Sequence, residues 1–318
     1  MSNRNLIKKT PGKVVFGPDG DNVTFYSSSG ISCELQETLV ELPDLIHGAS
    51  EQIVTGRLVE IKFTPTQFTA EALEKLFTHG SVRMGGSILG STDTYVDVRT
   101  VDNVQRRITC AYIHQEPAVR CKTGQTILGE VVIRGIVGLS GNPTGLNAFW
   151  QRSTVAWDDD GWDPANEITP GWDFSWPLGT ASAWDAIDTA EGVTITPKSD
   201  LTEDLSNRNG LINVTIQKYG VEITAKTLNI SEELVLAALY NDLPLGSRKT
   251  SLGRDLKLNA TTGGAFIRCF NAVLQPASLT YNATDTVVGD LKWMTSPLMS
   301  SHTKKHLLVS TTDPDEEE

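Results

Sequence analysis

The chain has 318 residues, 39% of them hydrophobic and 21% charged, with a formal net charge of −12 at pH 7. That length has room for two domains of about 100 to 200 residues, each able to bury a core, and the composition excludes wholesale disorder and collagen-like or membrane classes. No stretch approaches the ~18 uninterrupted apolar residues of a membrane span. The opening "MSNRNLIKKTPGKVVFG" has no apolar run of signal-peptide length, so synthesis in a cytoplasm without export by that route is expected.

The acidity is concentrated. Between Ser153 and Pro197 stand nine acids and no Lys or Arg, and the last six residues, "DPDEEE", add five more. Without those fourteen charges the rest of the chain carries +2, so neither a strong basic groove nor a uniformly acidic body follows from the total. The four cysteines (Cys33, Cys110, Cys121, Cys269) form no Cys-x-x-Cys pair and are too sparse for a disulfide scaffold; buried free thiols are expected. Five Asn-x-Ser/Thr triplets, such as those at Asn22, Asn213 and Asn282, would matter only in a secretory compartment.

In chain order, the first domain is expected over 1–140, its ordered part starting near residue 12. Strands are predicted at Val23–Tyr26 and Leu58–Phe63, where Val59, Ile61 and Phe63 alternate with Glu60 and Lys62. A helix follows: Thr69 is placed to cap it, and Leu73, Leu76 and Phe77 make its apolar stripe. "GGSILG" (Gly85–Gly90) is glycine-rich but leads towards a strand, whereas phosphate cradles lead into a helix, so it reads as a loop relieved of backbone crowding. Further strands are predicted at Tyr95–Arg99, Arg107–Ile113 and Leu128–Gly135.

Residues 141–189 read as a connector holding six of the seven tryptophans, with four Trp-Asp pairs. A flexible linker would be poor in aromatics, so this segment is expected to pack on something, as an aromatic hairpin clamping the domains or as a tryptophan-lined ligand platform. A propeller is excluded, because the two Gly-Trp-Asp triplets at Gly161 and Gly171 lie far closer than a blade repeat of about 40 residues. Asp158, Asp159, Asp160, Gly161, Trp162 and Asp163 resemble a calcium loop only loosely, since Gly161 in the sixth place puts Ala156 in the first.

The second domain is expected over 190–300 and the acidic tail over 301–318. A shift of 162 brings Val59, Glu60 and Ile61 onto Val221, Glu222 and Ile223, and pairs Gly30 with Gly192, Leu39 with Leu201, Glu41 with Glu203, Gly48 with Gly210 and Glu71 with Glu233. The secondary-structure pattern moves with them: Ser231 stands in the cap place, and Leu234, Val235, Ala238 and Leu239 form the helix stripe. Downstream, "ITCAYIHQEP" (Ile108–Pro117) faces "IRCFNAVLQP" (Ile267–Pro276), and "TILGEVVI" (Thr126–Ile133) faces "TVVGDLKW" (Thr286–Trp293). Cys110 and Cys269 then hold equivalent strand positions, as core fillers rather than catalytic thiols. The expected fold is mainly β: two tandem, duplicated β-sandwich or partial-barrel domains, each with one helix.

Catalytic signatures are missing from the sequence: no Gly-x-Ser-x-Gly elbow, Walker loop or His-Glu-x-x-His helix occurs. His302 and His306 stand four apart, but "SSHTKKH" offers no third ligand. No catalytic, cofactor-binding or metal-ligating residue is nominated, no cofactor is implied, and a non-enzymatic role is expected.

The residues that carry the repeat also carry a resemblance. A sandwich unit with one helix after a strand of the type "VEIKFTPTQFTAEALEKLF", present twice, resembles the tail tube proteins of long-tailed bacteriophages, in particular those with two fused tube domains. The resemblance covers about 12–140 and 190–300; the Trp-rich connector and the acidic tail depart from it. It implies a structural virion protein of the viral tail, made in the bacterial host cytoplasm, self-associating into stacked rings of three copies with pseudo-sixfold symmetry. Such a tube conducts double-stranded DNA during ejection without specific binding, and its partners would be tape measure, terminator and hub proteins, with no membrane involved. A channel wall free of fixed cations would limit friction on DNA, and Glu60, Glu222 and Asp97 are candidates for it. The alternatives are a single-ring hub or distal tail protein and a tandem carbohydrate-binding protein using Trp162 or Trp172.

Overall fold

The computed structural model describes residues 12–18, 20–27, 29–44, 48–82, 85–89, 94–100, 103–122, 125–136, 150–155, 168, 171–178, 184–206, 210–228, 234, 253–261, 264–281, 286–295 and 306–313. It is mainly β. The expected second helix lies outside the described residues apart from Leu234, which is helical and buried. The Asp158–Asp163 run, His302 and all of "DPDEEE" except Asp313 also lie outside them.

The described residues between 12 and 154 form eleven strands: β1 (Gly12–Gly17), β2 (Val23–Ser27), β3 (Ile31–Asp44), β4 (Gly48–Phe63), β5 (Tyr95–Thr100), β6 (Val104–Thr109), β7 (Ala111–Gln115), β8 (Val119–Lys122), β9 (Gln125–Leu128), β10 (Val131–Ile136) and β11 (Trp150–Thr154). One sheet runs β11-β6-β5-β1-β2 and a second β3-β4-β10-β7. Their inner faces meet in a core that includes Val14, Phe25, Val59, Ile61, Val96, Ile108 and Ile133, each fully buried. Strands β6 and β7 are one run of chain bent at Cys110, whose φ of 54° turns it from the first sheet to the second. The single strand predicted at Arg107–Ile113 is therefore two.

The helix α1 (Ala70–Leu76) forms as the sequence predicts. Thr69 adopts extended backbone, and its Oγ1 accepts from the Ala72 N–H at 3.2 Å, satisfying one of the otherwise unpaired donors of the first turn. Ala72, Leu73 and Leu76 are each fully buried, so packing of one stripe, rather than propensity, holds so short a helix. It ends just before a 3₁₀ turn at His79–Ser81.

The second half contributes β12 (Trp172–Ser175), β13 (Thr189–Ser206), β14 (Gly210–Thr227), β15 (Arg254–Ala260), β16 (Phe266–Leu274), β17 (Leu279–Tyr281), β18 (Thr286–Val288), β19 (Leu291–Thr295) and β20 (Leu307–Ser310). Most belong to a sheet ordered β12-β15-β16-β19-β14-β13-β8-β9, with β20 also paired to β16. Three strands thus fall where a connector or tail is expected: β11 and β12 inside 141–189, and β20 inside 301–318. Their ladders are why they are ordered, β11 on β6, β12 on β15 and β20 on β16.

Strand pairings of the first half recur in the second. The hairpin β3–β4 pairs Ile31 with Phe63, Cys33 with Ile61 and Thr38 with Gly56; β13–β14 pairs Val193 with Ala225, Ile195 with Ile223 and Asp200 with Lys218. Every one of these positions is displaced by 162. Two register breaks coincide as well, after Thr38 and Asp200 and after Leu42 and Asp204. Beyond the hairpins, Val131 opposite Phe63 corresponds to Leu291 opposite Ala225, and Val14 opposite Val98 to Phe174 opposite Leu258.

The bend recurs too, but not where the cysteine alignment puts it. Asn271, with φ of 50°, is the counterpart of Cys110, while Cys269 sits within a ladder opposite Leu256, as Ile108 sits opposite Val96. The expected equivalence of the two thiols is therefore displaced by two residues, although both are buried.

Gly30 and Gly192 both have positive φ, 96° and 81°. A Cβ on Gly192 would lie 1.9 Å from the Cys121 carbonyl oxygen, whereas one on Gly30 would meet nothing within 4 Å. Gly192→Ala is therefore expected to destabilise a single chain well beyond the ~1–2 kcal/mol of left-handed strain that Gly30→Ala would cost. Urea unfolding of the two variants under monomeric conditions checks this; equal losses would contradict the close approach.

Candidate assembly surface

The two halves meet along a seam made largely of backbone. The β8–β9 hairpin belongs to the first half in sequence but extends the second half's sheet, with Val119, Arg120 and Cys121 opposite Ile195, Thr194 and Val193. A second addition comes from the glycine-rich "GGSILG" segment. Gly85 N–H donates to Ile216 O (2.7 Å), Ile216 N–H to Gly86 O (3.1 Å) and Ile88 N–H to Val214 O (2.9 Å). Its described residues are thus an added β-segment, whose glycines let it lie close along β14.

In return, the outer part of the β13–β14 hairpin lies over the first half. Leu201 and Val214 pack with Tyr112, Ile88 and Leu89. Arg134 Nη1 donates to Glu203 Oε1 at 2.7 Å while its Nε donates to Glu60 Oε2 at 2.8 Å. Ser87 Oγ donates to Asn213 Oδ1 at 2.6 Å.

Behind this lies a buried polar cluster that the sequence did not signal as a unit. Glu116 Oε1 accepts from the His79 N–H (2.6 Å), and Oε2 accepts from the Tyr219 hydroxyl (2.7 Å). His79 Nε2 meets Ile113 O at 2.8 Å; a carbonyl only accepts, so Nε2 carries the proton. His306 stacks edge-on against Tyr219, and its Nδ1 shares a hydrogen bond with Thr295 Oγ1. The turn approaches β20 so closely that a Cβ on Gly80 would lie 2.8 Å from Leu307 O. Burial pushes the Glu116 carboxyl up to about 8 and holds the His79 and His306 imidazoles below their ordinary value. His114 is lowered to about 4, by burial first and by the Arg134 charge second. A charged residue just before a proline at the end of an apolar strand, as in "AYIHQEP", was the available clue to Glu116.

Two of the three wall candidates, Glu60 and Asp97, are buried rather than on an open polar face. Asp97 is fully buried, bound by Arg107 through both carboxylate oxygens at 2.8 Å, with Arg99 at 3.6 Å; Arg107 also lies over the Tyr95 ring. Glu60 is 4% exposed and held by Arg134, which also reaches Glu203 on the second half's hairpin. Burial raises its pKa, but hydrogen bonds from Lys62 and Arg134 outweigh this and hold it below the usual range. Glu222 is part-buried between Lys198 and Lys292, at 2.6 and 2.9 Å, whose hydrogen bonds lower its pKa. Alternation identified the strand face correctly, but not what covers it. Glu60 and Asp97 are withdrawn as wall residues.

The tryptophan side chains that are described, Trp172, Trp176, Trp184 and Trp293, are each held by neighbours within the chain. Trp176 and Trp293 are buried and packed edge-on together, Trp172 Nε1 donates to Thr126 Oγ1 on β9, and Trp184 lies under Lys257. Trp172 therefore ties the supposed connector to the seam hairpin; Trp162 lies outside the described residues. All four cysteines are free, and burial raises the thiol pKa of Cys33, Cys121 and Cys269. Among the described residues no three metal-ligating side chains converge. An open cleft of about 740 Å³ runs along the seam between His114–Glu116 and Pro197–Leu201. No helix of the described residues is long and apolar enough to cross a membrane.

Two variants test the seam and the sheet. In the folded chain Glu116 keeps its proton up to about pH 8, whereas the unfolded chain loses it near 4.5. Its contribution to stability is thus full below about 4.5 and lost as pH rises through 8. Glu116→Gln, an amide analogue of the protonated acid, should gain on the wild type by up to ~1.4 kcal/mol per pH unit between pH 5 and 8 in urea unfolding. Parallel profiles for the two proteins would contradict this. Asp97→Ala strips Arg107 of its bidentate partner and should cost ~3 kcal/mol or more in the same assay; a loss typical of an exposed pair, under ~1 kcal/mol, would contradict the buried geometry.

No protein-family model matches the chain, and a search of curated proteins returns no match either.

Proposed function

We propose that this chain is a structural virion protein, a subunit of the tail tube of a long-tailed bacteriophage, built from two tandem, duplicated tube domains. Three copies make a ring with pseudo-sixfold symmetry, and rings stack into a hollow tube that conducts double-stranded DNA. The observation that carries this reading is the recurrence of strand pairings at displaced positions, including both register breaks of the long hairpins and the positive-φ bends at Cys110 and Asn271. Unrelated sandwiches have no reason to share irregularities at matched positions.

The seam supports the same reading. One half adds a hairpin and a segment to the other's sheet and receives a ribbon over its own, a head-to-tail contact rather than a self-complementary one. Heterologous contacts of that kind generate rings when the rotation closes. The near-neutral charge outside the two acidic stretches fits a wall that does not hold on to passing DNA. Tape measure, terminator and hub proteins would be the partners at the tube's ends and interior, and the virion tail its location.

Negative-stain electron microscopy of the purified protein tests this directly. Annular particles stacking into hollow filaments are expected. Discrete rings that never stack would move the reading to the single-ring hub, and a field of separate monomers at high concentration would overturn it.

A further inference from the structure

Among the described residues one sheet edge is covered and its counterpart is not. The β13 edge at Val193–Ile195 carries the β8–β9 hairpin. The corresponding edge of the first half, β3 at Ile31–Cys33, is the end of its sheet and, among the described residues, paired only to β4. The corresponding hairpin of the second half, β17–β18, pairs only with itself among those residues.

The two hairpins match residue for residue. Val119 faces Leu128, Arg120 faces Ile127 and Cys121 faces Thr126; Leu279 faces Val288, Thr280 faces Val287 and Tyr281 faces Thr286. Each hairpin is closed by the same bond, Gly129 N–H to Ala118 O at 2.8 Å and Gly289 N–H to Ser278 O at 2.7 Å. Repeating the seam between two copies of the chain would satisfy edge and hairpin together.

We infer that β17–β18 of one chain pairs with the β3 edge of a second copy of this chain, placing Leu279, Thr280 and Tyr281 opposite Cys33, Ser32 and Ile31. This rests on the self-association reading above and specifies its interface. The register follows from the seam: displacing Ile195, Thr194 and Val193 by 162 gives Cys33, Ser32 and Ile31, and displacing Val119, Arg120 and Cys121 by 160 gives Leu279, Thr280 and Tyr281.

Two further observations agree. Gly192 takes its positive φ directly beneath the Cys121 carbonyl, while Gly30 takes the same conformation with nothing above it. The second copy's Tyr281 backbone would occupy that space. Leu39, 47% exposed, corresponds to Leu201, which packs against Tyr112 at the seam; Met294, 43% exposed, corresponds to Arg134, which lies beneath the covering hairpin. The same operation would lay the β3–β4 ribbon of the second copy over the β19 face that carries Met294. Two of the large exposed hydrophobics of the isolated chain are therefore at the surfaces this contact would bury.

Directly opposed residues of an antiparallel pair have Cα atoms ~4.5–5.5 Å apart, inside the disulfide range, and adjacent pairs alternate between the wider and the closer spacing. Two cysteine pairs therefore test the register in the full chain under mild oxidation. One is Leu279→Cys with the native Cys33. The other is Ser32→Cys with Thr280→Cys in a Cys33→Ser background, which avoids the Cys33 thiol that burial pushes up to about 11. At least one pair is expected to convert most of the protein into reducible bands of two and three chains, while Leu279→Cys with Cys33→Ser gives none. Circular dichroism melts confirm that the variants fold. If sedimentation shows self-association but neither pair cross-links, the hairpin assignment is wrong and the ring reading survives. If the wild-type chain stays monomeric, both fall.

Discussion

A strand at the rim of a β-sheet leaves a row of backbone donors and acceptors facing outward, and a protein built mostly of strands must pair, cover or blunt each such rim. In this chain that requirement governs the architecture. The second half's rim at β13 is closed by a hairpin lent from the first half, and part of β14 by the glycine-rich segment after the helix. What the first half gives, it receives back as a ribbon laid across its own sheet. The first half's rim at β3 has no such closure among the described residues. Among the described residues one edge is completed from within and the matching edge is left open, and the proposed ring rests on that asymmetry.

Contacts at the seam fix position. Backbone pairing fixes the register of the added hairpin, and Arg134 spans Glu60 of one half and Glu203 of the other, so a displaced ribbon would strand buried charge. Glu116 is held between the turn after the helix and Tyr219 on the long hairpin, where burial keeps it protonated near neutral pH. Groups with displaced pKa values often mark active sites; here Glu116 contacts both halves and, with His114, borders the open cleft along the seam.

The sequence made much of the fold legible and little of the seam. Alternation at Val59, Ile61 and Phe63 and the cap at Thr69 read correctly because each depends on neighbours within a few residues. Positions 162 apart pair alike in the two long hairpins, but the sequence did not give their length: in β3 the run Glu34, Leu35, Gln36, Glu37 is exposed throughout and shows no period of two. Cys110 and Cys269 misled because the strand they share bends at a positive-φ residue, and Cys and Asn hold that bend in the two halves. Glu60 and Asp97 looked like surface acids because sequence spacing reports which face a side chain takes and not which distant element covers it. Trp172 and Leu307 looked like connector and tail for a related reason: their strand partners, Ala260 and Cys269, are far away in sequence.

Mass in solution is the most direct measure of whether the open edge is met by another copy. For a chain of 34.6 kDa, sedimentation equilibrium over a wide concentration range should show a discrete species of three chains, with larger assemblies built in multiples of it. A single species at the mass of one chain across the whole range would contradict the account.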